Sequence, residues 1–199
     1  MKICFFGDSF VNGTGDDTCL GWTGRVCAAA RQAGHDITFY NLGIRGNTSE
    51  DILGRWHQEA SARINKGDKA LLVFSFGTND CAAGEDGRSL LPQNDRLKNA
   101  RSIIVDAPKA WPTLMVGPLP IMNDAKANKR ITDLSRQTGA LARAHRVPFL
   151  DVFSKMKENE TWKSECEQGD GVHPSAGGYA LVADMVAGWD AWQERVTKA

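Results

Sequence analysis

The chain has no surplus of charge of either sign: 24 lysines and arginines stand against 24 aspartates and glutamates, a formal net charge of zero. That balance leaves no electrostatic footprint for a polyanion, so neither nucleic acid nor an acidic membrane surface is an expected partner. No run approaches the ~18 consecutive apolar residues of a membrane-spanning helix. Met1-Lys2 leads straight into a strand-like segment, without the charged, apolar and small-residue regions of a signal peptide, so a cytoplasmic location is expected. The five cysteines (Cys4, Cys19, Cys27, Cys81 and Cys166) contain no CxxC pair and no zinc-ligand spacing. They read as free thiols of a reducing compartment, with a Cys19–Cys27 disulfide as the alternative. Nucleotide-binding signatures are also missing. No GxGxxG follows a strand, and residues 7–13 have five residues between their glycines and no lysine, where a phosphate loop needs four and a lysine. Asp16 and Asp17 read as a solvated loop, with a Mg²⁺ site beside Asp8 as the weaker alternative. There is no internal repeat, low-complexity tract or linker, so residues 1–199 are read as one domain.

What the chain does have is alternation. Residues 2–7 are an apolar, strand-like run ending at Gly7. Trp22, Val26, Ala29, Ala30 and Ala33 share one helical face, with Gly34 as the stop. Residues 37–42 read as a second strand. Thr48 or Ser49 then caps a helix whose inner face is Ile52, Leu53, Trp56, Ala60 and Ile64. Residues 70–76 are almost all apolar, as suits a strand covered on both faces. Residues 81–92, with Gly84, Gly87 and Pro92, read as a loop. A third helix carries Leu97, Ala100, Ile103, Ile104 and Ala107, and a fourth carries Ile131, Leu134, Thr138, Leu141 and Ala142. Between and after them, residues 113–116 and 148–152 give two more strands. Residues 154–172 are polar and predicted irregular. One last helix, starting at Pro174 or Ser175, is predicted to bury Leu181, Val182, Met185, Val186, Trp189 and Trp192. This repetition predicts an α/β fold, a parallel sheet between two helical layers.

The polar motifs fall at the carboxyl ends of these strands or just before the last helix, the edge at which open α/β sheets bind ligands. They are Gly7-Asp8-Ser9, Asn41-Leu42-Gly43, Gly77-Thr78-Asn79-Asp80 and Asp170-Gly171-Val172-His173-Pro174. Together they collect a hydroxyl, a flexible backbone N–H, an amide and an Asp/His pair, the parts of an acyl-transfer site. A serine hydroxyl is a poor nucleophile without a base, and an imidazole, with an ordinary pKa of about 6.5, suits that task. A carboxylate three residues before the histidine, in a turn entering a helix, can reach the ring and fix its tautomer. Each residue also has a plainer reading. Ser9, Asn79 and Asp170 are candidate caps, Gly43 a turn glycine, and His173 a packed or surface histidine. Asp8 and Asp80 read as turn braces, Cys81 as a buried thiol, and His35, His57 and His145 as surface or packed residues.

The four blocks resemble those of the SGNH hydrolases, also called GDSL esterases and lipases. That family is named for a Ser, a Gly, an Asn and a His in four separate blocks. Here Ser9, Gly43, Asn79 and His173 stand in that order across nearly the whole chain, with Phe10 where the family name has leucine. The resemblance implies a flavodoxin-like five-stranded sheet of order 2-1-3-4-5. It implies Ser9 as nucleophile, His173 as base, Asp170 as orienting acid, and an oxyanion hole of the Ser9 and Gly43 N–H groups with the Asn79 amide. It implies neither cofactor nor metal. The reaction is then hydrolysis of a small-molecule carboxylic ester through an acyl-enzyme. The chain has no lid-sized apolar insertion, so short acyl groups are expected. Phe10, Cys81, Leu119, Ile121 and Val172, in the loops after the strands, are the expected pocket walls. Carbohydrate O-acetylesterases, thioesterases and lysophospholipases share the machinery. A non-enzymatic ligand-binding module on the same fold is the alternative of a different class.

Overall fold

Five strands make one parallel sheet in the computed structural model, which describes residues 1–84, 86–122 and 124–197. β1 (Lys2–Gly7), β3 (Ala70–Ser75) and β4 (Thr113–Val116) are central; β2 (Thr38–Gly43) and β5 (Phe149–Leu150) are the edges. The order is β2-β1-β3-β4-β5 with every pair parallel, as the resemblance implied. Side chains alternate between the faces of a strand. Ile3, Phe5, Leu71 and Val73 therefore enter one apolar cluster, and Cys4, Phe6, Leu72 and Phe74 the other. Both faces are covered, which is why the central strands show no polar alternation.

On the first face α2 (Gly21–Gln32) packs on α9 (Ala176–Ala187), and Phe5 meets Trp22 edge-on at 5.5 Å. On the second lie α3 (Ser49–Ser61) and α5 (Gln93–Ala110), with Trp56 edge-on to Phe74 at 5.9 Å. α6 (Ala125–Ala144) feeds both clusters. The start of α3 follows its capping chemistry. Thr48 accepts from the N–H of Asp51, and the Asp51 carboxylate accepts from the N–H of Thr48 at 2.8 Å.

The structure departs from the sequence pattern in the last third. Residues predicted irregular form α7 (Phe153–Glu158) and α8 (Glu160–Gln168). Phe153, Met156, Trp162 and Cys166 are buried there, a sparse apolar stripe masked by the polar residues between. Asn159 caps α8, accepting from Trp162 N–H at 3.0 Å. The single last helix is two: α9 ends at Gly188, and α10 (Asp190–Thr197) follows. Val182, Val186 and Trp192 are buried, but Leu181, Met185 and Trp189 are only half-buried. Ala29 and Ala33 are exposed; Trp22, Val26 and Ala30 are buried as expected, and Cys27 joins them on the inner face of α2. All five cysteines are free, so the alternative Cys19–Cys27 bridge is not formed. Among the described residues no helix is long and apolar enough to cross a membrane.

Candidate active site

β1 ends at Gly7 because nothing larger fits. A Cβ there would lie 2.2 Å from the Ser75 carbonyl oxygen and 2.3 Å from Val11 Cγ2. The chain turns at once into the single helical turn α1 (Ser9–Asn12), pressed against the sheet edge. Asp8 caps that turn by accepting from Phe10 N–H at 3.0 Å, and Gly13 closes it in the left-handed region at φ 88°. Asn41, on β2, clamps it by donating its amide to the Val11 carbonyl at 2.9 Å. The Ser9 hydroxyl is thus held at the carboxyl edge of the sheet by backbone geometry. Gly7 is level with Gly43 in β2 and Ser75 in β3, so the other two strand-end blocks flank it on either side.

The fourth block reaches the same point from the far end of the chain. His173 Nε2 lies 2.7 Å from Ser9 Oγ, and His173 Nδ1 lies 2.6 Å from Asp170 Oδ2. The other Asp170 oxygen accepts from the N–H groups of Val172 and His173 at 2.9 and 2.8 Å. Partial burial works against the Asp170 charge, but these bonds from His173 and Val172 hold its carboxyl at about 2. With Asp170 ionised, Nδ1–H donates to it, and Nε2 is left to accept from the serine hydroxyl. The His173 ring lies 5.1 Å from that of Phe10, which stacks on Trp162 at 5.9 Å.

In the second block the donor is placed differently from expectation. The Gly43 N–H donates to Asn41 Oδ1 at 3.0 Å and is not free to face Ser9. Gly43 is a glycine for steric reasons, since a Cβ would lie 2.2 Å from Asn12 N. Just beyond it, Asn47 N–H bonds the Ile44 carbonyl at 3.1 Å, closing a turn in which Gly46 sits at φ 80° with open space where a side chain would be. A turn with φ > 0 at its third residue selects glycine, and the N–H of that residue takes no part in the closing bond. Asn79 lies in α4 (Thr78–Cys81), the single turn after β3, and donates its amide to the Asn47 carbonyl at 2.9 Å. That leaves its second N–H. Gly46 and Asn79 are therefore linked through Asn47.

Other candidate residues are placed plainly. Burial pushes the Asp8 carboxyl up to about 7, with the charge of Asp80 adding to the effect. Asp80 is also raised by burial; it accepts from Ser49 N–H at 2.7 Å, so it ties α4 to α3. Asp16 is not solvated as predicted; it is buried and paired with Arg25. Burial opposes its charge, yet hydrogen bonds from Arg25, Thr18 and Gly21 hold its carboxyl far below the usual range. Asp17 is exposed, as are His57 and His145, whereas His35 is half-buried. Among the described residues no cluster of three potential metal ligands occurs. The expected pocket walls need correction. Cys81 and Leu119 are wholly buried, Phe10 and Ile121 nearly so, and all four belong to the apolar core, while Val172 is half-buried against it. A depression on the His173 and Asp170 side of the site is lined by polar groups, among them Thr14, Asp17, Arg45 and Gln168; Ser9 and Asn79 do not line it.

Arg55 escaped the sequence reading. From α3 it donates to the Gly7 carbonyl at 3.0 Å and to the Asn47 side chain at 2.8 Å, bracing the Ser9 turn and the Gly46 turn together. In sequence it is one arginine on a helix, with nothing to mark it.

The profile of the GDSL-like lipase/acylhydrolase family matches residues 5–181. A GDSL esterase/lipase from Arabidopsis thaliana is 26% identical over 206 residues, covering 94% of this chain and 84% of that protein. Among solved structures, the lipase/acylhydrolase from Enterococcus faecalis superposes with a TM-score of 0.75 at 24% identity, covering 98% of this chain and 95% of its own. A G-D-S-L lipolytic protein from Veillonella parvula gives 0.78 at 21%, covering 94% and 96%. An acetylxylan esterase from Geobacillus stearothermophilus gives 0.76 at 21%, covering 96% and 95%. At these identities the structural matches speak for the fold.

Proposed function

The chain belongs to the GDSL-like lipase/acylhydrolase family and is a serine hydrolase of carboxylic esters; on that premise we propose that Ser9, His173 and Asp170 carry the reaction. The observation that supports the assignment is the unbroken relay from Ser9 Oγ through the imidazole to Asp170, 2.7 and 2.6 Å per contact. Ser9 Oγ attacks the ester carbonyl carbon while Nε2 takes its proton, and the carbonyl electron pair moves onto oxygen. The oxyanion is met by the Ser9 N–H, which as the first residue of α1 has no partner within the helix. The Gly46 N–H and the free N–H of the Asn79 amide complete the hole, with Gly46 in the role that Gly43 was expected to fill. Collapse breaks the bond to the leaving alkoxide, which takes the proton from Nε2. Water then attacks the acyl-enzyme with His173 again as base, releasing the acid. Asp170 stays a carboxylate throughout and stabilises the imidazolium.

Two features bear on substrate. Four of the five expected pocket walls, Phe10, Cys81, Leu119 and Ile121, are packed into the core, which supports a short acyl group, acetyl above all. The rim beside His173 is polar, which favours a hydroxyl-rich leaving group, and the acetylxylan esterase shares the fold. Hydrolysis of p-nitrophenyl acetate, butyrate and octanoate by wild type, Ser9→Ala and Asn79→Ala tests the whole reading. We expect acetate to be turned over fastest, Ser9→Ala to be inactive, and Asn79→Ala to lose about 10²–10³ in kcat with little change in KM. Preference for octanoate would overturn the short-acyl reading; an active Ser9→Ala would overturn the nucleophile.

A further inference from the structure

We propose that Glu165 is a positioning residue for His173, acting through the first turn of α9. The proposal rests on the reading of His173 as the base. Helix α9 begins three residues after His173, and its N-cap, Ser175, makes no side-chain capping bond. The N–H groups of a first helical turn have no intrahelical acceptor and call for one from outside. Glu165, on α8, supplies it. One carboxylate oxygen accepts from Ser175 N–H at 3.0 Å and Gly178 N–H at 2.7 Å, and the other from Gly177 N–H at 3.0 Å. A negative charge at a helix N-terminus gains further from the backbone dipole.

The next residue of α8 holds the other flank of the histidine turn. Gly171 N–H donates to the Cys166 carbonyl at 2.9 Å, and Cys166 Sγ–H donates to the Val172 carbonyl at 3.3 Å. Adjacent residues of one helix thus grip the Asp170–His173 turn before and after the imidazole. The grip matters because the turn is otherwise open to solvent: the Asp170 side chain is 51% exposed. The glycines of α9 fit the same device. A Cβ on Gly177 would lie 2.4 Å from Glu165 Oε1, so any side chain there displaces the carboxylate. Misplacing a reacting group by about 1 Å can cost on the order of 10²-fold in rate.

The experiment is a double-mutant cycle on p-nitrophenyl acetate with Glu165→Ala, Gly177→Ala and the pair, beside Ser9→Ala, each measured well below its own melting temperature. We expect Glu165→Ala and Gly177→Ala each to lower kcat by about 10–100-fold with KM nearly unchanged. Labelling of Ser9 by an organophosphonate should slow in proportion. The double variant should be no slower than the worse single, because both remove one contact. Alanine is the better helix former, so Gly177→Ala returns stability to α9 as it displaces Glu165. It therefore separates misalignment from unfolding, and it carries the test alone where Glu165→Ala fails to fold. Wild-type kcat in a folded single variant, or fully additive losses, would overturn the proposal. An active Ser9→Ala would instead remove the reading on which it rests.

Discussion

The two halves of the Ser–His pair are held in place by different physics. Ser9 stands on a turn made by backbone fit: Gly7 against Ser75, Asp8 capping, Gly13 in the left-handed region, Asn41 clamping the carbonyls. Everything needed lies within the first strand and its neighbours in register. His173 stands on an exposed turn 164 positions away, held by side chains of α8 and by the Asp170 carboxylate. Ser9 is therefore as rigid as the sheet, while His173 is as rigid as its hydrogen bonds. Lesions on the Ser9 side should unfold the domain; lesions on the His173 side should leave it folded and slow.

Gly7→Ala breaks the Ser9 side most severely. The added carbon meets a strand carbonyl at 2.2 Å, so neither partner can give cheaply. We expect a loss of upward of about 3 kcal/mol in a urea titration, and no active soluble enzyme at 37 °C. A stable, active Gly7→Ala would mean that the Ser9 turn tolerates movement away from the sheet.

Asp170→Asn is the matching lesion on the other side. The amide can still accept from the Val172 and His173 N–H groups, so the turn should hold and the melting temperature should change little. The imidazole loses the carboxylate that fixes its tautomer, and kcat should fall by about 10²–10⁴-fold. A large drop in melting temperature with retained turnover would invert the comparison.

Asp8→Asn probes a cost hidden in the rigid half, one that leaves the fold and the triad in place. The Asp8 carboxyl titrates at about 7 in the folded chain, against an ordinary value near 3.8. Between those values the folded protein keeps a proton that the unfolded chain has released. Stability therefore falls as pH rises from about 4 to about 7, and the deficit is complete above about 7. Asparagine keeps the acceptor for Phe10 N–H without the buried charge. Thermal melts should show the variant more stable than wild type at pH 8 and indistinguishable near pH 4. Equal midpoints at pH 8 would mean that Asp8 ionises freely.

The strand ends and the four polar blocks were legible because they rest on local signals: apolar runs of strand length, glycines that stop them, and polar residues just beyond; the strand order was legible only through the family resemblance. The α7–α8 region was not, because Phe153, Met156, Trp162 and Cys166 are too sparse to reveal a helical face among so many charges. Gly43 and Gly46 could not be told apart by spacing alone. Both lie in one block, Gly43 ending β2 and Gly46 in the turn beyond, and only the bond from Gly43 N–H to Asn41 shows which N–H is already engaged. The pocket walls failed for a related reason: an apolar residue in a loop after a strand can line a cavity or plug the core, and packing decides.

By itself, then, the sequence determined the layered parallel fold and the family, and it offered Ser9, His173 and Asp170 as candidates, since those follow from residue type and short-range spacing. Tertiary structure alone decided the rest. It brought Nε2 to 2.7 Å from Oγ, engaged one glycine N–H and left another open, closed the apolar walls into the core, and set Glu165 against α9. The Ser9–His173 contact joins residues 164 positions apart, and even the shorter-range bonds take these partners only once the sheet and its helices have packed.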